Sequence, residues 1–320
     1  MTQTKDHVLI TGAGGFIGQE LIVSLLKDMP SAHFTLTDII TPPVPAGAEN
    51  QITSLKADLT NPSAVTSLLS KRFSHVYILH GLMSGGAEAN LDLGLKINVD
   101  SVRTILDVLR TEYPGTKVIF ASSCAIYGQT DIVTEFGTLP QPKSSYGTQK
   151  LLVELLINDY SRRDLLDGRI VRLPTVIVRP GAPSAAASSF ASGIVRESLN
   201  GVKNTLPVSR DLELWVCSPM TVIKNLVKIK DVPKEKFGSS RVVNLPGITV
   251  TVQDILDALK EVGGEKTLAH VEEQRDPAIE AIVSSWPARF DVSRALGLGL
   301  DADGKVLDAV KAFQAKAVKV

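Results

Sequence analysis

Short apolar and β-branched runs alternate with longer stretches of helical apolar spacing through the first half of the chain. Candidate strands are His7–Thr11, Phe34–Asp38, Ile52–Ala57, Val76–His80, Lys117–Ser122 and Arg169–Val178. Between them, apolar positions three and four apart predict helices near Phe16–Lys27, Pro62–Lys71, Ala87–Glu112 and Ser144–Arg162. Strands separated by helices point to parallel pairing, because a parallel pair needs a long crossover and a helix supplies it. Val76–Leu79 is apolar almost throughout, as a strand covered on both faces must be. The expected fold class is α/β, a doubly wound parallel sheet.

Beyond Val178 the alternation lapses. Pro180, Gly181, Pro183 and the small-residue run Ala185–Ser189 predict a loop leading into a helix near Phe190–Leu199. A strand near Leu212–Val216, a helix at Pro219–Lys228, a strand at Arg241–Leu245 and helices at Val252–Glu261 and Lys305–Ala317 complete the pattern. The 320 residues exceed the roughly 250–300 at which a single core usually stops growing. A large domain with a smaller, interleaved one is therefore expected.

Thr11-Gly12-Ala13-Gly14-Gly15-Phe16-Ile17-Gly18 follows the first strand and opens the first helix. Glycines belong there because the turn is tight, the backbone must approach a pyrophosphate and the helix must pack closely on the strand. Free N–H groups at the helix start, with the positive end of its dipole, then hold phosphate. Asp38 stands 20 residues beyond Gly18, at the end of the second strand, where a carboxylate accepts from adenosine ribose hydroxyls. That charge repels a 2′-phosphate, and Ile39 and Ile40 offer no arginine to receive one, so NAD is expected rather than NADP. Asp58 is a candidate for the adenine edge, or a solvated acid at a strand end. His80-Gly81 closes the fourth strand on the carboxyl edge of the sheet, beside the cofactor, where a lone histidine is more often structural. Phe16, Ile17, Leu59, Asn98, Pro174 and Val176 complete the candidate cofactor set. This sheet is of the Rossmann type, with residues 1–178 and a return segment at about 212–245 forming the dinucleotide-binding domain. Residues 179–211 and 246–320 are the expected substrate-binding domain.

Ser144-Ser145-Tyr146-Gly147-Thr148-Gln149-Lys150 begins a helix and places Tyr146 and Lys150 four residues apart, on one face. An ammonium beside a phenol favours the phenolate, so the tyrosine pKa is expected below about 10 and useful for general base work. Ala121-Ser122-Ser123-Cys124 ends the fifth strand, so a serine hydroxyl emerges next to the cofactor. Ser123 is the candidate to bind a substrate oxygen, with Ser122 competing; one of the two supports the backbone.

The glycine pattern, Ser123 and Tyr146-x-x-x-Lys150 together resemble the extended short-chain dehydrogenase/reductase family, over nearly the whole chain. The resemblance implies that Tyr146 is the acid/base, that Lys150 holds the nicotinamide ribose and tunes the tyrosine, and that Ser123 positions the reacting oxygen. Asn98, in Ile97-Asn98-Val99, matches a structural asparagine of that family. The stretches Ala87–Gly94, Arg172–Gly181 and Ala186–Glu197 are similar to the D-erythronate dehydrogenase subfamily, which implies NAD-dependent oxidation of the 2-hydroxyl of a small sugar acid, or reduction of the keto compound. His80-Gly81-Leu82-Met83, and Ser198 after Glu197, depart from the usual pattern of that subfamily.

A hydroxy-acid substrate needs a fixed cation. Arg196 is the expected carboxylate clamp, with Arg172 and Arg179 as alternatives, and Ser84, Ser189 and Phe190 are further substrate-binding candidates. Two other readings use the same fold: a sugar-nucleotide epimerase or dehydratase, with no clear acidic pair near Ser123 for the dehydratase, and a non-catalytic NAD-binding regulator.

Charge changes the picture by exclusion. Lys and Arg number 34 against 34 Asp and Glu without a basic run, so neither nucleic acid nor an anionic membrane is an expected partner. Cys124 and Cys217 are too few and too isolated for a disulfide framework or a thiolate metal site, and no metal is expected. Met1–His7 lacks the basic start and apolar core of a secretory signal, and runs such as Leu151–Ile157 fall short of the roughly 20 residues that cross a bilayer. A cytoplasmic enzyme is expected. Leu151, Leu152, Val153, Leu155, Leu156 and Ile157 leave their helix apolar almost all round, more than a sheet-facing stripe requires. The family resemblance implies a homodimer that pairs this helix and Ala87–Glu112 across a two-fold axis.

Overall fold

The computed structural model describes residues 6–183 and 186–317. Ala185 of the expected small-residue loop and Met1–Lys5 of the N-terminal segment lie outside them. The first six strands are β1 (His7–Thr11), β2 (His33–Asp38), β3 (Ile52–Lys56), β4 (His75–Ile78), β5 (Lys117–Ser123) and β6 (Asp167–Leu173). All pair in parallel, in the spatial order β3-β2-β1-β4-β5-β6. The strand order reverses between β1 and β4, and a crevice opens there at the carboxyl ends of the strands. Connecting helices are α1 (Phe16–Asp28), α2 (Pro62–Leu68), α3 (Ser84–Ala89), α4 (Leu91–Leu95), α5 (Ser101–Glu112) and α6 (Ser145–Arg162).

Alternation along β1 explains the two layers. Val8 and Ile10 join a core with Leu21, Ile22 and Leu25 of α1, while Leu9 faces the opposite core of Ile105, Leu109, Val153 and Ile157. The segment expected as one helix over Ala87–Glu112 is divided. Asn90 ends α3 and caps α4, its Oδ1 accepting from Leu93 N at 3.0 Å, and α4 passes through a π turn, Lys96–Asp100, into α5.

The remaining elements are β7 (Thr175–Val176), α7 (Ser189–Leu199), β8 (Asn204–Leu206), β9 (Glu213–Cys217), α8 (Pro219–Ile229), β10 (Val242–Asn244), β11 (Ile248–Thr251), α9 (Val252–Gly263), α10 (Glu265–Leu268), β12 (Val271–Glu273), α11 (Pro277–Ser284), α12 (Ser293–Gly297) and α13 (Val306–Ala317). The sixth expected strand, Arg169–Val178, is two strands in two sheets. Pro174 stands between β6 and β7, and without an N–H it cannot continue the ladder. β7, β9 and β11 form a small sheet around a separate core that includes Ile194, Leu214, Val216, Ile255 and Leu259. β9 thus lies outside the large sheet. The return to the Rossmann unit consists of α8, which packs on α1, and β10, which pairs in parallel with β6 as the seventh strand. β8 and β12 make a two-stranded ribbon. No helix among the described residues is long and apolar enough to cross a membrane.

Candidate active site

The glycine loop is shaped by contacts that leave no room for side chains. Gly12 has φ +67°, and a Cβ there would sit 2.6 Å from the His80 backbone nitrogen; at Gly18 it would sit 2.6 Å from Ala13 Cα. β1, the turn after β4 and the start of α1 therefore meet at backbone distance. Asp38 ends β2 against this loop and accepts from Gly14 N at 2.9 Å. The carboxylate that would receive a ribose is thus fixed beside the loop that would receive the phosphates. Gly15 is exposed on the loop and Ile17 points into the central cavity, whereas Phe16 lines a separate groove between α1, α8 and α13.

His80 braces this edge. Ser101 Oγ gives its proton to Ile97 O at 2.6 Å, so it accepts from His80 Nε2 at 2.9 Å, and His80 Nδ1 accepts from Thr11 Oγ1 at 2.7 Å. Burial, aided by the Lys150 charge, pushes the imidazole down to about 3, so it stays neutral. Asn98, buried in the π turn, accepts from Leu82 N at 2.7 Å and donates to Leu82 O at 3.0 Å and to Gln149 Oε1 at 2.7 Å. A Cβ on Gly81 would stand 2.9 Å from Asn98 Oδ1 and 3.7 Å from Lys150 Nζ. Gly81 is the point where backbone, asparagine and lysine converge.

Tyr146 and Lys150 occupy one face of α6, whose start is capped by Ser144 Oγ accepting from Gly147 N. Lys150 Nζ donates to Ala121 O at 2.9 Å and lies 4.7 Å from the Phe120 ring centre and 5.6 Å from that of Tyr146. Burial holds this ammonium down at about 8 while Glu154 acts to raise it. The tyrosine differs from the sequence expectation. Burial pushes its hydroxyl up to about 12, and the opposing influences are the hydrogen bond with Ser123 and the charge of Arg179. The ammonium is engaged by Ala121 O, and desolvation is the leading influence on the tyrosine. The choice between the serines follows from strand alternation: Ser123 meets Tyr146, while Ser122, 2 % exposed, donates to Glu154 on the other side.

A cavity of about 190 Å³ unites these groups. Ile17, Ser84, Ser123, Tyr146, Lys150, Pro174 and Val176 line it, so seven of the residues singled out in the sequence meet in one place. Residues 8–232 match the NAD dependent epimerase/dehydratase family. The chain belongs to that family. It is similar to D-erythronate dehydrogenase of Cupriavidus necator, with 40% identity over 96% of this chain and 97% of the relative, and to that of Haemophilus influenzae, with 38% identity over 96% and 98%. Among solved structures, a nucleoside-diphosphate-sugar epimerase from Agrobacterium tumefaciens superposes with a TM-score of 0.88 at 35% identity, covering 96% of this chain and 92% of the other. The cofactor of this family member is NAD, and Gly12, Asp38, Gly81 and Lys150 fit it.

Other candidates of this family member fall elsewhere. Asp58 is exposed, its carboxylate accepting from Thr60 N and Thr60 Oγ1 at 2.9 and 2.7 Å, and these bonds hold it below the usual carboxylate range. The Leu59 side chain belongs to the core. Phe190 is buried among Ile177, Ala191 and Ile194, and Ser189 opens α7; Ala186 and Ser188 line the cavity in their place. Ser84 Oγ accepts from Ala187 N at 3.0 Å, tying the loop before α7 to α3.

The expected clamp, Arg196, does not reach the cavity. Its Nε donates to Glu197 Oε1 at 3.1 Å and its Nη1 to Arg179 O at 3.0 Å, so a buried guanidinium is spent on holding the backbone of Arg179. Helical spacing alone did not reveal that this residue faces inward. Arg172 is committed to Glu154 and Tyr127. Arg179 lines the cavity, and its charge acts on Tyr146. Trp215 and Trp286 complete the wall from the smaller unit, and no motif in the sequence marked them.

Proposed function

We propose that this chain is an NAD-dependent dehydrogenase that oxidises the 2-hydroxyl of a small sugar acid of the D-erythronate type. The observation that carries the reading is a single small cavity in which Arg179 and the Ser123–Tyr146 pair face the same space. Arg179 binds the carboxylate and Ser123 takes the 2-hydroxyl oxygen. Tyr146 accepts the hydroxyl proton as the C2–H hydride departs, and Lys150 provides the positive charge that supports the tyrosine and holds the cofactor ribose. Bound NAD supplies the hydride acceptor. Burial of Tyr146 keeps the hydroxyl protonated in the free site, so the oxidative direction speeds up as pH rises.

The second reading, epimerisation of a nucleotide sugar, is favoured by the printed description of the Agrobacterium structure. Against it, the relatives from Cupriavidus necator and Haemophilus influenzae are D-erythronate dehydrogenases.

The working form is a homodimer in the cytoplasm, active in carbohydrate metabolism. Leu91 and Leu93 of α4 and Leu152 and Leu155 of α6 are exposed, a shared apolar face that a second copy covers. The larger unit binds the dinucleotide, and the smaller supplies the substrate wall. Turnover should be measured as NADH formation over four-carbon 2-hydroxy acids, longer sugar acids, L-threonine and nucleotide sugars. D-Erythronate or a close sugar acid leads under this reading, and activity confined to nucleotide sugars overturns it.

A further inference from the structure

Behind the reacting groups lies a second set of charges that the proton and hydride transfers do not touch. Glu154 follows Lys150 by one turn of α6, the spacing at which two side chains share a face. Its carboxylate is 1 % exposed and accepts from Ser122 of β5, and from Arg172 of β6 at 2.9 Å (Nε) and 2.6 Å (Nη2). Ser122 and Arg172 are register partners on adjacent strands. Arg172 continues to the Tyr127 hydroxyl, which donates to Asn244 Oδ1 on β10 at 3.1 Å. One carboxylate, shut away from water, is thus held by an arginine and a serine, one helical turn from Lys150.

Such burial is a poor way to gain stability, because desolvating the charges costs about as much as their attraction returns. Its placement suits another purpose. Three successive residues of β5 divide the work: Ala121 O receives Lys150 Nζ, Ser122 binds Glu154, and Ser123 meets Tyr146. The groups around Lys150 are Tyr146 and Glu154 on its own helix, neutral His80 after β4, the Ala121 carbonyl and Phe120 ring of β5, and Asn98 beyond Gly81. Arg172 reaches it from β6 only through Glu154. Of these, Glu154 supplies the negative charge.

We propose that Glu154 is a positioning residue, a fixed counter-charge that keeps Lys150 an ammonium inside a dry site, and that Arg172 sets how strongly it does so. The proposal rests on the reading of Lys150 as the residue that holds the cofactor. It is consistent with an ammonium lowered by burial and raised by Glu154.

The test is NADH affinity of the full chain, read by fluorescence titration without substrate from pH 6 to 10. Wild type should bind evenly at neutral pH and weaken as Lys150 loses its proton near 8. Glu154→Gln should move that midpoint acidward by about one unit or more, since an opposite charge nearby is worth roughly 1–3 units. Arg172→Met should move it the other way, because the carboxylate then has Lys150 as its remaining cation. Glu154→Asp, which keeps the charge, should stay near wild type. Lost packing alone would lower the melting temperature of every variant without opposing shifts. A folded Glu154→Gln protein with the wild-type midpoint, or shifts of the same sign in Glu154→Gln and Arg172→Met, overturns the proposal. If Glu154→Gln does not fold, an Arg172→Met midpoint that is unmoved or acidward does so. If neither folds, a Glu154→Asp midpoint moved as far as one unit decides against it. A wild-type affinity without a limb that Lys150→Met abolishes overturns the reading of Lys150 itself, and the proposal falls with it.

Discussion

On the proposed reading, Asp38 sets cofactor choice and Arg179 substrate choice. Asp38 fixes Gly14 N while presenting its charge at the end of β2. Asp38→Ala removes an acceptor and a repulsive charge together, so NAD binding should weaken by roughly ten-fold and the preference over NADP should narrow, as measured by KM for both. Full NAD selectivity in that variant would show that the discriminator lies elsewhere. Arg179→Ala should lower kcat/KM for the sugar acid by roughly 10- to 100-fold, the worth of a charge-assisted hydrogen bond, with NAD affinity nearly unchanged. Arg179→Lys keeps the charge without the fork and should fall between. Arg196→Ala acts only through the Arg179 carbonyl and should cost less than Arg179→Ala; the reverse order in the same assay would return the clamp to Arg196. Tyr146→Phe removes the proposed acid/base and should cost roughly 10²- to 10⁴-fold in kcat while the protein still binds NADH.

Elements were legible where their pattern had one cause, and less so where a single residue interrupts it. The glycine turn, β1–β5 and the Tyr146–Lys150 face were readable because each joins a strong period to a local requirement. A cavity built by seven of the candidate residues follows from that. The break at Pro174 was harder to read, since Ile170–Leu173 and Thr175–Val178 continue one apolar run while entering two sheets. The short β8, β11 and β12 lack the length to show a period. The pairing of Arg196 with Glu197 was legible as the alternative to a clamp, since the two are sequence neighbours, whereas its bond to the Arg179 carbonyl, 17 residues away, was not. At the element scale, Gly12→Ala combines a positive φ with a Cβ 2.6 Å from His80 N. It should lower the melting temperature and weaken NAD binding together, because the strained turn and the phosphate site are one loop. An unchanged melting temperature would mean that the turn relaxes freely.

The whole molecule carries a pH limit independent of its chemistry. His7 and His75, at the amino-terminal ends of β1 and β4, are each pushed down to about 4, first by burial and then by Lys71 and Lys117 respectively. The unfolded chain takes up these protons near pH 6.5 and the folded one resists them, so stability is complete above about 6.5 and drains away as pH falls toward 4. Thermal melts should show that slope, and His7→Gln with His75→Asn should make it shallower while leaving the share of His80, which burial pushes down to about 3; an unchanged slope would assign it to other groups. Assembly is tested at the same scale. Leu152→Glu with Leu155→Glu should turn a dimer into a monomer in sedimentation, and a wild type that is already monomeric at micromolar concentration contradicts the shared apolar face. The central claim is net oxidation at C2 of a small sugar acid. The most direct measurement follows deuterium from D-erythronate labelled at C2 during incubation with NAD. One deuterium recovered in NADH for each 2-keto acid formed is the result expected. An inverted C2 centre without NADH, or no turnover of any sugar acid, contradicts it.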